Sequence, residues 1–226
     1  NNIQEKVGLQ QKSMSQSGDM NKELKEQRDE LKNTVLKLRE QMRIELKRIQ
    51  KEVGITSIYV THDQSEALVM SDEIIVMSKG RIEQRDPPLA VYSNPVNGYV
   101  SQFIGVANLL NGRVLSEAEN GRGKVDISKS IQGLSCDCLL TGGVKKGDEV
   151  VVSVRPENVS VSTDNTDSKG IKGKVETAIF LGNCVDCRIT SGGYEWKVLT
   201  HPRENLNEGD LVFLHLDPAH TLAVVP

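Results

Sequence analysis

The sequence predicts an α+β chain in three parts: a helical N-terminal segment, a short mixed stretch of strand and helix, and an all-β region built as a small barrel or sandwich. Three observations carry this. Leucines recur every seven residues at Leu24, Leu31 and Leu38. A β-branched run, "ITSIYV" at residues 55–60, passes directly into the helix-starting chemistry of "THDQSEA". From Asn108 onward, short β-rich runs alternate with Gly, Asn and Asp turns, the texture of many short strands.

The first part begins with "NNIQEKVGLQQKSMSQSGDM", Gln/Ser-rich and weakly periodic, expected to be frayed or only partly helical. From Lys22 the pattern sharpens, with Val35 and Met42 between and after the leucines, then Leu46, Ile49 and Val53 at steps of four, three and four. That is an amphipathic helix, and Gly54 suits a left-handed cap at its end. Arg28 and Glu45 interrupt the heptad seam, which favours a helix packed on its own domain over a long coiled coil.

In the second part, "ITSIYV" has the β-branched enrichment of a buried strand. Asp63 can cap the following helix, with Glu66 completing a capping box. "EIIVM", "SKG" and "RIEQ" read as strand, turn and strand. In "DPPLAVYSNP", Asp86 can cap a helix opened by Pro87 or Pro88 and stopped before Pro95. "GYVSQFIG" adds a further amphipathic turn or two. The change in texture places a boundary near residue 107.

Composition narrows the function. Of 226 residues 37% are apolar and only 4% aromatic, so a core rests on Val, Ile and Leu. Net charge is −3, which gives no basic excess for duplex nucleic acid. Residues 1–54 are mildly basic, with 12 Lys/Arg against 9 Asp/Glu, and the remainder is acidic. No window approaches the roughly 18 to 20 apolar residues of a bilayer span. "NNIQEKVGLQQ" lacks the layout of a secretory signal, so membrane association is expected only through a partner.

The four cysteines, Cys136/Cys138 and Cys184/Cys187, are read as semi-buried thiols in a cytosolic chain. On a strand Cys136 and Cys138 share a face while Cys184 and Cys187 do not, which disfavours zinc. The β region is acidic and its aromatics (Phe180, Tyr194, Trp196, Phe213) are sparse, which disfavours a stacking platform for single strands. No nucleic-acid partner is expected.

The stretch "LREQMRIELKRIQKEVGITSIYVTHDQSEALVMSDEIIVMSKGRIEQRDPPLAVYSNPVNGYVSQFIG" resembles the C-terminal part of the ATPase subunit of ABC importers, in the group serving maltose, polyamine and ferric-iron uptake. "NLLNGRV" and "GDEVVVSVRPENVSV" resemble the OB-like TOBE domain that this group carries behind its ATPase. The resemblance implies three regions: 1–36 an unmatched helical extension, 37–107 the C-terminal remnant of the ATPase domain, and 108–226 the OB-like β domain. It makes His62 the switch histidine, which hydrogen-bonds a γ-phosphate and reports whether ATP is intact. It implies ATP and Mg2+ as cofactors of the parent family, transmembrane importer subunits as partners, and a cytoplasmic location on the inner face of the membrane. Self-association as a homodimer is also expected, since the remnant leaves apolar edges to bury.

Departures from the family pattern set the activity expected of these 226 residues. They contain no G-x-x-x-x-G-K-[ST] loop and no "LSGGQ" signature. Asp29-Glu30 lacks a preceding apolar strand and falls one residue out of the family spacing, and the D-loop aspartate of the family falls at Val35. The chain is therefore expected to be inactive alone, to hold no cofactor by itself, and to serve transport only with a complete ATPase. The alternative is a non-enzymatic regulatory or dimerisation module built on the OB-like domain. Arg155 in "RPENV" is expected either to pair with Glu157 or a neighbour, or to bind a ligand.

Overall fold

The computed structural model describes residues 2–117, 119–164 and 170–226, and the chain divides into two compact units after Met70. The first is helical. Helix α1 (Asn2–Val53) is continuous and reaches far upstream of the sharp periodicity at Lys22. Gly54 closes it in the left-handed conformation, φ 67°, with its N–H on the Gln50 carbonyl at 3.0 Å. Helix α2 (Gln64–Met70) follows.

Two expectations fail in this unit. "ITSIYV" joins no sheet, and Ile58 and Val60 are 93% and 92% exposed. A strand is defined by ladder partners, and among the described residues none lies beside this run. The seam of α1 is also uncovered by its own unit: Leu24, Leu31, Val35, Leu38, Met42, Leu46, Ile49 and Val53 are all exposed. Short α2 packs instead along Arg43, Lys47 and Gln50, the partly buried side of the helix.

The second unit opens with the expected hairpin, β1 (Ile74–Ser78) and β2 (Arg81–Asp86). Its turn holds Lys79 and Gly80 at φ 49° and 77°, the paired positive values that match the strand twist. Helix α3 (Pro88–Ser93) starts after Pro87, which takes the capping position expected of Asp86. The Asp86 carboxylate stays on the strand and accepts from Gln84 at 2.9 Å. Helix α4 (Gly98–Phe103) is capped by Asn97, whose side chain accepts from the Val100 N–H at 2.9 Å.

The all-β region comprises a barrel and a sheet. Strands β3 (Asn108–Glu117), β4 (Arg122–Asp126), β5 (Ser135–Leu140) and β6 (Glu149–Val154) form a barrel closed by β12 (Thr221–Val224). This last strand runs parallel to β5 and antiparallel to β6, so closure removes the sheet edges. Gly112 permits the tight barrel wall: a Cβ there would lie 2.6 Å from Val125 Cγ1. Strands β7 (Val159–Ser162), β8 (Ile171–Phe180), β9 (Val185–Ser191), β10 (Tyr194–Thr200) and β11 (Leu211–Leu216) form a five-stranded sheet in the order β10-β9-β8-β11-β7.

Barrel and sheet share one core, in which Val125, Val152, Ile189, Trp196, Val198 and Val212 are fully buried. Alternation in β9 and β10 puts every second side chain into that core. The hairpin and the two short helices belong to the same unit. Gly98 N–H bonds the Val225 carbonyl at 2.9 Å, and Ser101 and Ser153 hydroxyls meet at 2.6 Å. The packing unit thus begins upstream of residue 107. No helix among the described residues is long and apolar enough to cross a membrane.

Candidate functional site

The "THDQSE" run is organised by a side chain from α1. Arg43 reaches Asp63 Oδ2 at 2.8 Å and Glu66 Oε1 at 3.3 Å, while Lys47 Nζ donates to the Met70 carbonyl at 2.7 Å. Asp63 caps α2 as expected, accepting from the backbone N–H groups of Ser65 at 2.9 Å and Glu66 at 3.3 Å. Glu66 does not close the capping box. Its carboxylate takes the hydroxyls of Thr61 at 2.9 Å and Tyr59 at 3.1 Å, and the Asp63 N–H turns to Thr61 Oγ1 at 2.9 Å.

Both carboxyls are held below their ordinary range. For Glu66 the Thr61 hydroxyl is the chief cause. For Asp63 partial burial opposes the shift, and the Glu66 N–H and the Arg43 charge overcome it. His62 sits between two anchored residues with its own side chain exposed. The backbone at the histidine is therefore defined while the imidazole is presented outward.

A second constellation lies in the other unit. Arg155 follows β6 and is 6% exposed. Its guanidinium donates to the carbonyls of Tyr92 at 2.9 Å, Val106 at 3.1 Å and Ser101 at 3.2 Å, and lies 4.1 Å above the Tyr92 ring. Glu157 does not pair with it and instead accepts the Tyr92 hydroxyl at 2.6 Å. Burial, then the bond to Glu157, push the Tyr92 hydroxyl up to about 12. Gly105, at φ 74°, brings the turn close: a Cβ there would meet Tyr92 Cε2 at 3.0 Å. Tyr92, Asn94, Ser153, Asn158 and His220 line a cleft of about 280 Å³ beside the arginine. The Arg155 donors point to backbone carbonyls, so the arginine ties α3, α4 and the turn before β3 to the barrel.

The four cysteines lie apart from this cleft. Cys136 and Cys138 share a face of β5 with sulfurs 3.5 Å apart, and the contact and burial push the Cys138 thiol up. Burial likewise raises Cys187. Among the described residues no three His, Cys, Asp or Glu side chains come together to hold a metal.

The family model for the TOBE domain matches residues 152–224, from β6 through β12. The chain carries a TOBE domain. Over a longer stretch it is homologous to ABC importer ATP-binding subunits. The spermidine/putrescine import ATP-binding protein of Acetivibrio thermocellus is 37% identical over 183 residues, 81% of this chain and 48% of the relative. The protein of the same name from Frankia alni is 39% identical over 198 residues, 82% of this chain and 43% of the relative. The chain thus spans about half the length of the curated relatives it matches. Among solved structures, the cytoplasmic molybdate-binding protein ModG overlays 53% of this chain and 96% of its own at 19% identity, with a TM-score of 0.45.

The Arg43 clamp and the Tyr92 partner of Arg155 are missed by sequence reasoning. Arg43 lies 20 residues from Asp63, and Tyr92 63 residues from Arg155. The only local signal was an arginine on the flank of an otherwise amphipathic helix.

Proposed function

We propose that this chain is the C-terminal portion of the ATP-binding subunit of an ABC-type importer, energising solute uptake when the ATPase is complete. Residues 37–107 are the ATPase remnant, 108–226 the TOBE domain and 1–36 an extension outside the family pattern. His62 is the switch histidine by resemblance. The observation that carries this reading is the "VTHDQSEA" run standing at family spacing ahead of the TOBE match, with His62 exposed next to the Arg43–Asp63–Glu66 network. The relatives' names point to polyamines as the imported class. The partners are transmembrane importer subunits, which would place the protein on the cytoplasmic side of the membrane, and a second copy of the chain.

ATP and Mg2+ belong to the complete ATPase. In these 226 residues a lone imidazole offers a phosphate one or two hydrogen bonds of ~1–3 kcal/mol each. Micromolar binding requires about 8 kcal/mol, and no phosphate loop is present to supply the rest. Calorimetry with Mg-ATP should show no micromolar binding, unchanged in His62→Ala. Micromolar binding that His62→Ala abolishes would refute the assignment of an incomplete site. A regulatory or dimerisation module is the second reading, favoured by the uncovered apolar seam of α1.

A further inference from the structure

Two thiols meet in the wall of the barrel. Cys136 and Cys138 share a face of β5, and their sulfurs lie 3.5 Å apart. Cys138 is fully buried against the core and Cys136 is half-buried. The strand that carries them is pinned on both edges. Cys136 pairs with Val125 and Cys138 with Gly123 on β4, while Leu139 pairs with Leu222 on β12. All of these residues belong to the barrel, so the pair is formed without any part of the ATPase domain. Cys184, just before β9, and Cys187 within it make no sulfur–sulfur contact among the described residues.

We propose that Cys136 and Cys138 form a dithiol site for a trivalent arsenical, which condenses with both sulfurs. An arsenical of the type R–As(OH)2 meets the two S–H groups, forms two As–S bonds, breaks two As–O bonds and releases two waters. Both thiol protons leave in that water, no electron is transferred, and arsenic stays trivalent. Cys136, the more exposed of the two, makes the first bond, and Cys138 closes the chelate. The fixed strand holds the second sulfur in place for that closure.

The geometry separates this chemistry from the other fates of paired thiols. Two steps along a strand put the Cα atoms about 6.8 Å apart, beyond the roughly 5.5–6 Å usual across a disulfide. Oxidation would also draw the sulfurs together to about 2 Å in a strand held by ladders on both edges. Zinc requires thiolates and a fourfold shell. The contact with Cys136 and burial favour the protonated Cys138 thiol. Among the described residues no third His, Cys, Asp or Glu side chain joins the pair. Condensation with an arsenical, by contrast, consumes neutral thiols and needs only two sulfurs. Sulfurs bonded to one atom at about 2.3 Å, the usual length to zinc, and at roughly 100° span ~3.5 Å. That separation is already present.

The test is intact-protein mass spectrometry of the folded chain with equimolar phenylarsine oxide, which joins two thiols and releases one water. One adduct should form, carrying one phenylarsenic less two hydrogens, with the circular dichroism of the free chain unchanged. Iodoacetamide in urea should then label Cys184 and Cys187 and spare Cys136 and Cys138. Dimercaptopropanol should remove the adduct, and a monothiol at the same concentration should leave it in place. Cys136→Ser and Cys138→Ala should each weaken capture at least about 100-fold, the advantage of two-point over one-point attachment. Cys184→Ser should leave capture unchanged. The half-buried position of Cys136 makes its serine variant the one that keeps its fold, as circular dichroism should verify. No adduct on the folded chain overturns the site. So does capture that survives Cys136→Ser, an adduct that maps to Cys184 and Cys187, or capture only with loss of the folded spectrum.

Discussion

Arg155→Ala should destabilise the second unit by about 3 kcal/mol. The side chain is 6% exposed and donates to three main-chain carbonyls, those of Tyr92, Val106 and Ser101. A hydrogen bond from a charged donor contributes roughly 1.5–3 kcal/mol, and removing the donor strands the carbonyls. Stacking on Tyr92 at 4.1 Å adds about 1 kcal/mol. Against these stands the cost of keeping a guanidinium out of water, which the alanine recovers. The adjacent cleft of about 280 Å³ admits water to part of the stranded surface, which lowers the net further.

The assay is urea unfolding followed by Trp196, the single tryptophan, fully buried within the shared core. With a slope of about 2 kcal/mol per molar, the midpoint should fall by about 1.5 M with an unchanged slope. Arg155→Lys should lose roughly two-thirds as much, because one ammonium cannot serve three carbonyls held around a planar fork. A midpoint shift below about 0.3 M for Arg155→Ala is what an ordinary surface substitution yields. That result would refute the structural role and return the arginine to the class of ligand-binding groups.

Two further perturbations follow from the same unit. The Tyr92 hydroxyl is raised to about 12, chiefly by burial and then by Glu157, against about 10 in an unfolded chain. The protonated phenol is the favoured form, so its contribution is complete below pH about 10 and is lost as pH rises through 12. Tyr92→Phe should flatten stability across that window, and a wild-type profile already flat there would count against the Glu157 contact. Gly112→Ala should cost about 1–3 kcal/mol in the same urea assay, since the new Cβ would meet Val125 Cγ1 at 2.6 Å and the Asp126 carbonyl at 2.9 Å. An unchanged midpoint would show that the barrel wall yields.

The sequence by itself determined the elements whose causes are local. The Gly54 stop, the Asp63 cap, the hairpin with its Lys79-Gly80 turn and the proline-opened α3 each depend on residues within a few positions of one another. Tertiary structure alone decided the rest, because the deciding partners are distant in the chain. "ITSIYV" has every local mark of a strand and joins no sheet, since hydrogen-bonding partners make a strand and propensity does not. Many short strands pointed to one barrel or sandwich. Closure by β12, paired to β5 and β6 from the far end of the chain, separated a barrel from a five-stranded sheet. The ion pairs that fix the residues after His62 come from Arg43, 20 residues from Asp63, and nothing in the spacing of the "THDQSE" run announces them. Arg155 was equally readable as a ligand group or an ion-pair partner until the backbone carbonyls of two short helices and a turn took up its donors. A guanidinium binds whatever acceptors folding brings within about 3 Å, and spacing along the chain does not encode that distance.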